Sequence, residues 1–102
     1  MPKGYWIAHV GADDPSSFHS DAYKSYVSGA APTFEQFGGR FLARGGGFET
    51  AEGSDLGSRH VVIEFPSLEA AQSCYHSQAY ADAKQHRQSV SSATIILVEG
   101  ID

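Results

Sequence analysis

Hydrophobic and polar positions divide the chain into stretches of different period. Residues 4–10, Gly-Tyr-Trp-Ile-Ala-His-Val, are rich in aromatic and β-branched side chains and predict a strand that Gly11 ends. Asp14-Pro15 marks a helix start, because an Asp side chain caps free amides and Pro suits the first helical position. Phe18, Ala22, Tyr26 and Ala30 then recur every four residues as one apolar stripe. Gly29 and Pro32 interrupt it and predict a break near Pro32, with a short helical continuation through Phe34 and Phe37. After Gly38-Gly39, residues 40–44 read as a second strand. Gly45-Gly46-Gly47 bends or bulges it, and Phe48 and Glu49 continue it. Residues 50–58 have loop composition. Residues 59–65, centred on Val61-Val62-Ile63, are the third and strongest strand. Ser67 caps a second helical region with Leu68, Ala71 and Tyr75 on one face. Ser77 can restart that helix through Ala79, Tyr80, Ala83 and Arg87, and residues 94–99 form the last strand.

The order β-α-β-β-α-β predicts an α+β, ferredoxin-like fold. In it, two helical segments cover one face of a four-stranded antiparallel sheet. Side chains at alternate strand positions point to opposite faces. One set is wholly apolar and is expected under the helices: Trp6, Ala8, Val10, Phe41, Ala43, Val61, Ile63, Phe65, Ile96 and Val98. The other set mixes apolar with ionisable residues. It holds Tyr5, Ile7, His9, Arg40, Leu42, Arg44, His60, Val62, Glu64, Ile95, Leu97 and Glu99. A monomer would leave Ile7, Leu42, Val62, Ile95 and Leu97 as an exposed apolar patch, which usually marks an interaction surface. A second copy of the chain is the expected partner, since two-fold dimers are the commonest oligomers. Two such sheets face to face would enclose a cavity lined by the polar members, with room for a small-molecule ligand.

Length and composition narrow the choice. The 102 residues suit one domain, spanning 1–102. With 41% hydrophobic residues the chain is expected to fold. Seven Lys and Arg against twelve Asp and Glu give a charge of −5, which argues against nucleic acid as a partner. The single Cys excludes an intrachain disulfide and any multi-Cys zinc site. No stretch resembles a membrane span or signal peptide, so no membrane partner and a cytoplasmic location are expected.

Several segments together resemble a known family. They are Lys3-Gly4-Tyr5-Trp6-Ile7-Ala8, Tyr23-Lys24-Ser25-Tyr26, the run from Gly38 to Gly46, the run from Val62 to Ala71, and Tyr75-His76-Ser77-Gln78-Ala79-Tyr80. The chain resembles a bacterial domain-of-unknown-function family (domain of unknown function 1330) of small dimeric α/β-barrel proteins. The wider superfamily includes antibiotic-biosynthesis monooxygenases, muconolactone isomerases and EthD-like proteins. The resemblance implies a homodimeric ferredoxin-like barrel. Several superfamily members act without metal or organic cofactor and some bind haem. It carries over no reaction. The chain departs from the pattern at Cys74 and in the extra Ser-Phe-His-Ser-Asp stretch at 17–21.

Candidate chemistry comes from the mixed sheet face. His9 and Glu64 fall on neighbouring strands, where a carboxylate would orient one imidazole tautomer and leave the other nitrogen as a general base. The alternative is a satisfied polar pair at the dimer interface. Arg40 and Arg44 would hold an anionic or enolic ligand, or pair with Glu64 or Glu99. His60 would join the His9 cluster or lie at an exposed strand start. Tyr26, Tyr80 and Arg87 on the helices would reach the cavity mouth, or pack as core. No residue spacing signals a metal site, the Gly triplet lacks the residues of a phosphate loop, and no cofactor is expected. The function expected is that of a cofactor-free, monooxygenase- or isomerase-like enzyme for a small aromatic or enolisable molecule. The alternative is a non-catalytic ligand-binding or structural dimer.

Overall fold

The computed structural model describes residues 2–12 and 14–102. Strand β1 (Gly4–Gly11) leads through a 3-10 helix (Pro15–His19) to α1 (Asp21–Gln36) and β2 (Arg40–Arg44). Strand β3 (Arg59–Phe65), α2 (Leu68–Tyr75), α3 (Gln78–Gln88) and β4 (Ser92–Glu99) follow. The strands form one antiparallel sheet in the order β2-β3-β1-β4. This is the expected ferredoxin-like α+β fold, with the helices on one face.

Local chemistry sets the helix ends. Asp14 caps the 3-10 helix, its carboxylate accepting the Ser16 amide at 3.0 Å. That bond holds the carboxyl below its usual range. The α-helix proper starts later, where the Ser20 hydroxyl accepts the Tyr23 amide at 3.2 Å. Pro32 does not break α1. Its ring faces solvent, and the Thr33 hydroxyl bonds the Gly29 carbonyl one turn back at 2.9 Å. The helix ends at Gly38, whose φ of +83° favours a residue without Cβ. The second helical region is two helices. The Ser77 hydroxyl donates to the Cys74 carbonyl at 2.7 Å and accepts the Tyr80 amide at 3.2 Å, closing one helix and opening the next.

The core lies between sheet and helices, with Trp6 at its centre. The indole meets Phe34 and Tyr80 edge-on, each at 4.9 Å between ring centroids. Ile63, Phe65, Ala71 and Cys74 complete the buried layer.

Two expectations about faces are corrected. In β4, Leu97 opposes Trp6 and Ile95 opposes Ala8, so Ile95 and Leu97 pack on the core. Ile96 and Val98 point outward, 48% and 43% exposed. Ile95-Ile96-Leu97-Val98 is apolar at every position, so alternation could not phase it. Pairing with β1 decided the phase. In β2, Arg40 opposes Glu64 and Phe41 opposes Ile63, but Ala43 opposes Val62 and Arg44 opposes Val61. Leu42 is therefore the extra residue of a β-bulge, which inverts the alternation beyond it. Ala43 turns to the outer face and Arg44 to the helix side, so Arg40 and Arg44 do not share a face. Phe48 and Glu49 do not extend β2 but lie in the irregular loop before β3.

Candidate functional site

The β2 bulge and the start of β3 bring two arginines to the helix side of the sheet. Arg44 lies with its guanidinium carbon 4.7 Å from the centre of the Phe41 ring. Arg59 stands opposite Val10 on a face that is apolar apart from Arg44, 5.9 Å from the Tyr23 ring. Gly45 makes room for Arg59. Its φ is +69°, and a Cβ there would collide with the guanidinium.

Both arginines border a pocket between α1 and the sheet. Its walls include Trp6, Tyr23, Tyr26, Phe34 and Phe41, with Val10, Val61 and Ile63 on the sheet side. The cavity is about 60 Å³, room for roughly four to six water molecules at the ~10–15 Å³ each needs. It adjoins an open groove of about 610 Å³ that shares Tyr23, Val27 and Arg59 and adds His19, Lys24 and Gly45. A cavity of about 150 Å³ holds a benzene ring, so a ring would seat here only by extending from the pocket into the groove.

Buried phenols stand behind the pocket. The Tyr26 and Tyr80 hydroxyls are 3.1 Å apart, and the Arg87 guanidinium lies over the Tyr26 ring at 5.3 Å. Burial raises the pKa of Tyr23, Tyr26 and Tyr80, opposed by Arg59 and Arg87 at Tyr23 and by Arg87 at the other two. These hydroxyls stay protonated at neutral pH and can donate hydrogen bonds. Among the described residues no carboxylate pairs with Arg44, Arg59 or Arg87, and Nε of both Arg59 and Arg87 is buried without a partner.

Residues 3–101 match the family described as Domain of unknown function (DUF1330). The chain belongs to this family. No curated protein matches it by sequence. Among solved structures it is similar to a protein of unknown function from Rhodopseudomonas palustris, at 21% identity and a TM-score of 0.72 over 99% of this chain and 84% of that one. SnoaB, a cofactor-independent oxygenase from Streptomyces nogalater, is 11% identical with a TM-score of 0.62, over 100% and 96%. An EthD family protein from Bacillus halodurans is 11% identical with a TM-score of 0.58, over 99% and 100%. At these identities the shared property is the fold.

For this family member, the expected site residues divide between the two faces of the sheet. His9 and Glu64 do not meet. Glu64 opposes Tyr5, four residues along the strand from His60, or about 13 Å at ~3.3 Å per residue. Its carboxylate accepts Arg40 Nη2 at 3.2 Å and the Tyr5 hydroxyl at 3.4 Å. His9 instead meets His60, Nδ1 to Nδ1, at 2.9 Å. Such a bond needs one ring to donate and the other to accept. Phe48 from the β2–β3 loop sits edge-on to His60 at 4.3 Å. Tyr26, Tyr80 and Arg87 lie between the helices and the sheet, away from the outer face, and pack as core rather than at the mouth of a cavity there. Sequence reasoning missed Arg59 and Tyr23. Arg59 had a signal: it shares the parity of Val61, Ile63 and Phe65, a charge on the core-facing side.

Proposed function

We propose that this protein is a homodimer that binds a small planar, aromatic or enolisable molecule beneath α1 and acts on it without a cofactor. The observation that carries the reading is the pocket's lining: aromatic walls, with phenols and guanidiniums as its ionisable groups. Aromatic walls suit a ring. Donors fixed in a desolvated pocket stabilise an oxyanion where it forms. Tyr23, Tyr26, Arg44 and Arg59 would lower the pKa of a bound enol or phenol, so that it gives its proton to solvent, and would hold its conjugate base. That electron-rich form can take up dioxygen or be reprotonated at another carbon, giving monooxygenase- or isomerase-like outcomes. A cofactor-independent oxygenase built on a similar fold supports the first.

The outer face supports the dimer. Leu42, Ile96 and Val98 are half exposed there, beside Ile7 and Val62. In this reading His9, His60, Arg40 and Glu64 give polar register to the interface, and the ligand lies on the other side of the sheet. One observation favours the second reading, a non-catalytic binding dimer. No carboxylate or imidazole lines the pocket to take a proton.

Deuterium exchange at the α-carbon of 2-acetylcyclohexanone, and oxygen uptake with 1-naphthol, separate the two. Exchange or uptake above the buffer rate supports catalysis. Binding without either supports the second reading. No binding of either probe sinks both.

A further inference from the structure

The chain carries seven Lys and Arg against twelve Asp and Glu, yet the charges near the α1 pocket run the other way. Arg44 and Arg59 line the pocket, Lys24 lines the adjoining groove, and no Asp or Glu lines either. Arg87, 5% exposed, adds a fourth cation behind Tyr26. An unpaired cation taken out of water is costly unless an anion joins it. Arg59 meets that condition in part: it is half-buried, with the Tyr23 hydroxyl beside it. Its Nε is buried without a partner, and its guanidinium lies in the space that Gly45 leaves open, 5.9 Å from the Tyr23 ring.

We infer that the pocket takes its ligand as a carboxylate, anchored by Arg59, with the ring or planar body inside the aromatic walls. This rests on the pocket reading proposed above and names the class of its ligand. The Nη end of a guanidinium presents two parallel N–H groups, which match the two oxygens of a planar carboxylate. The inner cavity is apolar and too small for a second charged group, and only together with the adjoining groove does it offer the space a flat body needs. Arg44 and Lys24 would raise the local concentration of anions at the mouth.

Trp6, the only tryptophan, lines the pocket, so its indole proton resonance reports occupancy. The test titrates the full chain with benzoate, benzamide and phenyl phosphate and follows that resonance. The expected result is benzoate binding at least ~10-fold tighter than benzamide, the scale of a hydrogen bond to a charged group. Arg59→Gln should erase that preference, Arg59→Lys should restore part of it, and Lys3→Gln should leave it unchanged. Should Arg59→Gln not fold, weakening of benzoate but not benzamide by 0.5 M salt on the native protein stands in its place. Equal binding of benzoate and benzamide overturns the anion assignment and leaves the pocket reading intact. Tighter binding of phenyl phosphate overturns the carboxylate assignment. No shift with any probe overturns this inference together with the pocket reading.

Discussion

At the scale of single residues, burial keeps four acidic groups in their neutral form. Burial pushes the Cys74 thiol up from 9.0 to about 12, and the Tyr23, Tyr26 and Tyr80 phenols also rise. The sign follows from linkage: a group that holds its proton more tightly when folded stabilises the fold fully below its unfolded value. That stabilisation is lost as pH rises through the folded value. Stability is therefore expected to hold level up to about pH 9, near the ordinary thiol value, and to fall above it. The urea midpoint measured from pH 7 to 11 checks this, and phenolate absorbance of the buried tyrosines should rise together with loss of the far-ultraviolet circular dichroism. At pH 8 in the native protein, Cys74 should react with a disulfide reagent far more slowly than in urea. The mixed face of two neighbouring strands had pointed to His9 and Glu64 as a pair. Their spacing along paired strands keeps them apart and joins His9 to His60 instead. Position on a strand was legible; the partner across the sheet was not.

At the scale of elements, α1 roofs the pocket and runs through a proline. Pro32 is exposed and its ring interrupts no core contact, so Pro32→Ala should stabilise the protein. Interior helical Pro is less favourable than Ala by about 3 kcal/mol, less the unfolded-chain entropy that Pro removes. A net gain of about 1–3 kcal/mol should appear as a higher urea midpoint at unchanged slope. Strand β3 was legible to the residue, because Arg59–Phe65 is bounded by loop composition and Pro66. The strands beside it were less so. The bulge at Leu42 leaves no mark in composition, since Phe41, Leu42 and Ala43 are all apolar. Yet that one extra residue moves Arg44 to the pocket side. In β4 the unbroken apolar run left the choice of inward face open until pairing with β1 closed it.

At the scale of the molecule, the fold is a slab 40 × 34 × 17 Å, one sheet under one layer of helices, with the other sheet face bare. The dimer proposed above covers that face. Ile96→Asp places a charge there without touching the core, since Ile96 is half exposed. It should shift the mass by light scattering at micromolar concentration from two chains to one. A dimeric Ile96→Asp protein would place the interface elsewhere. The pocket lies on the opposite side of the sheet, so benzoate binding by the monomeric variant should persist if each subunit holds a complete site. Among the described residues, no helix is long and apolar enough to cross a membrane.

The sequence by itself determined the order of elements, the ferredoxin-like plan, the family and the existence of a second apolar face. The family follows from the resemblance of several segments, and the rest from local periodicity, capping and turn chemistry, all written in short stretches of chain. Only the tertiary structure decided which apolar residues make that face and where the polar groups converge. Strand register and a single bulge set those outcomes, and both are fixed by pairing between distant segments. That is why Arg59, Tyr23 and Arg44 meet beneath α1, while His9 and Glu64, neighbours in plan, stay apart.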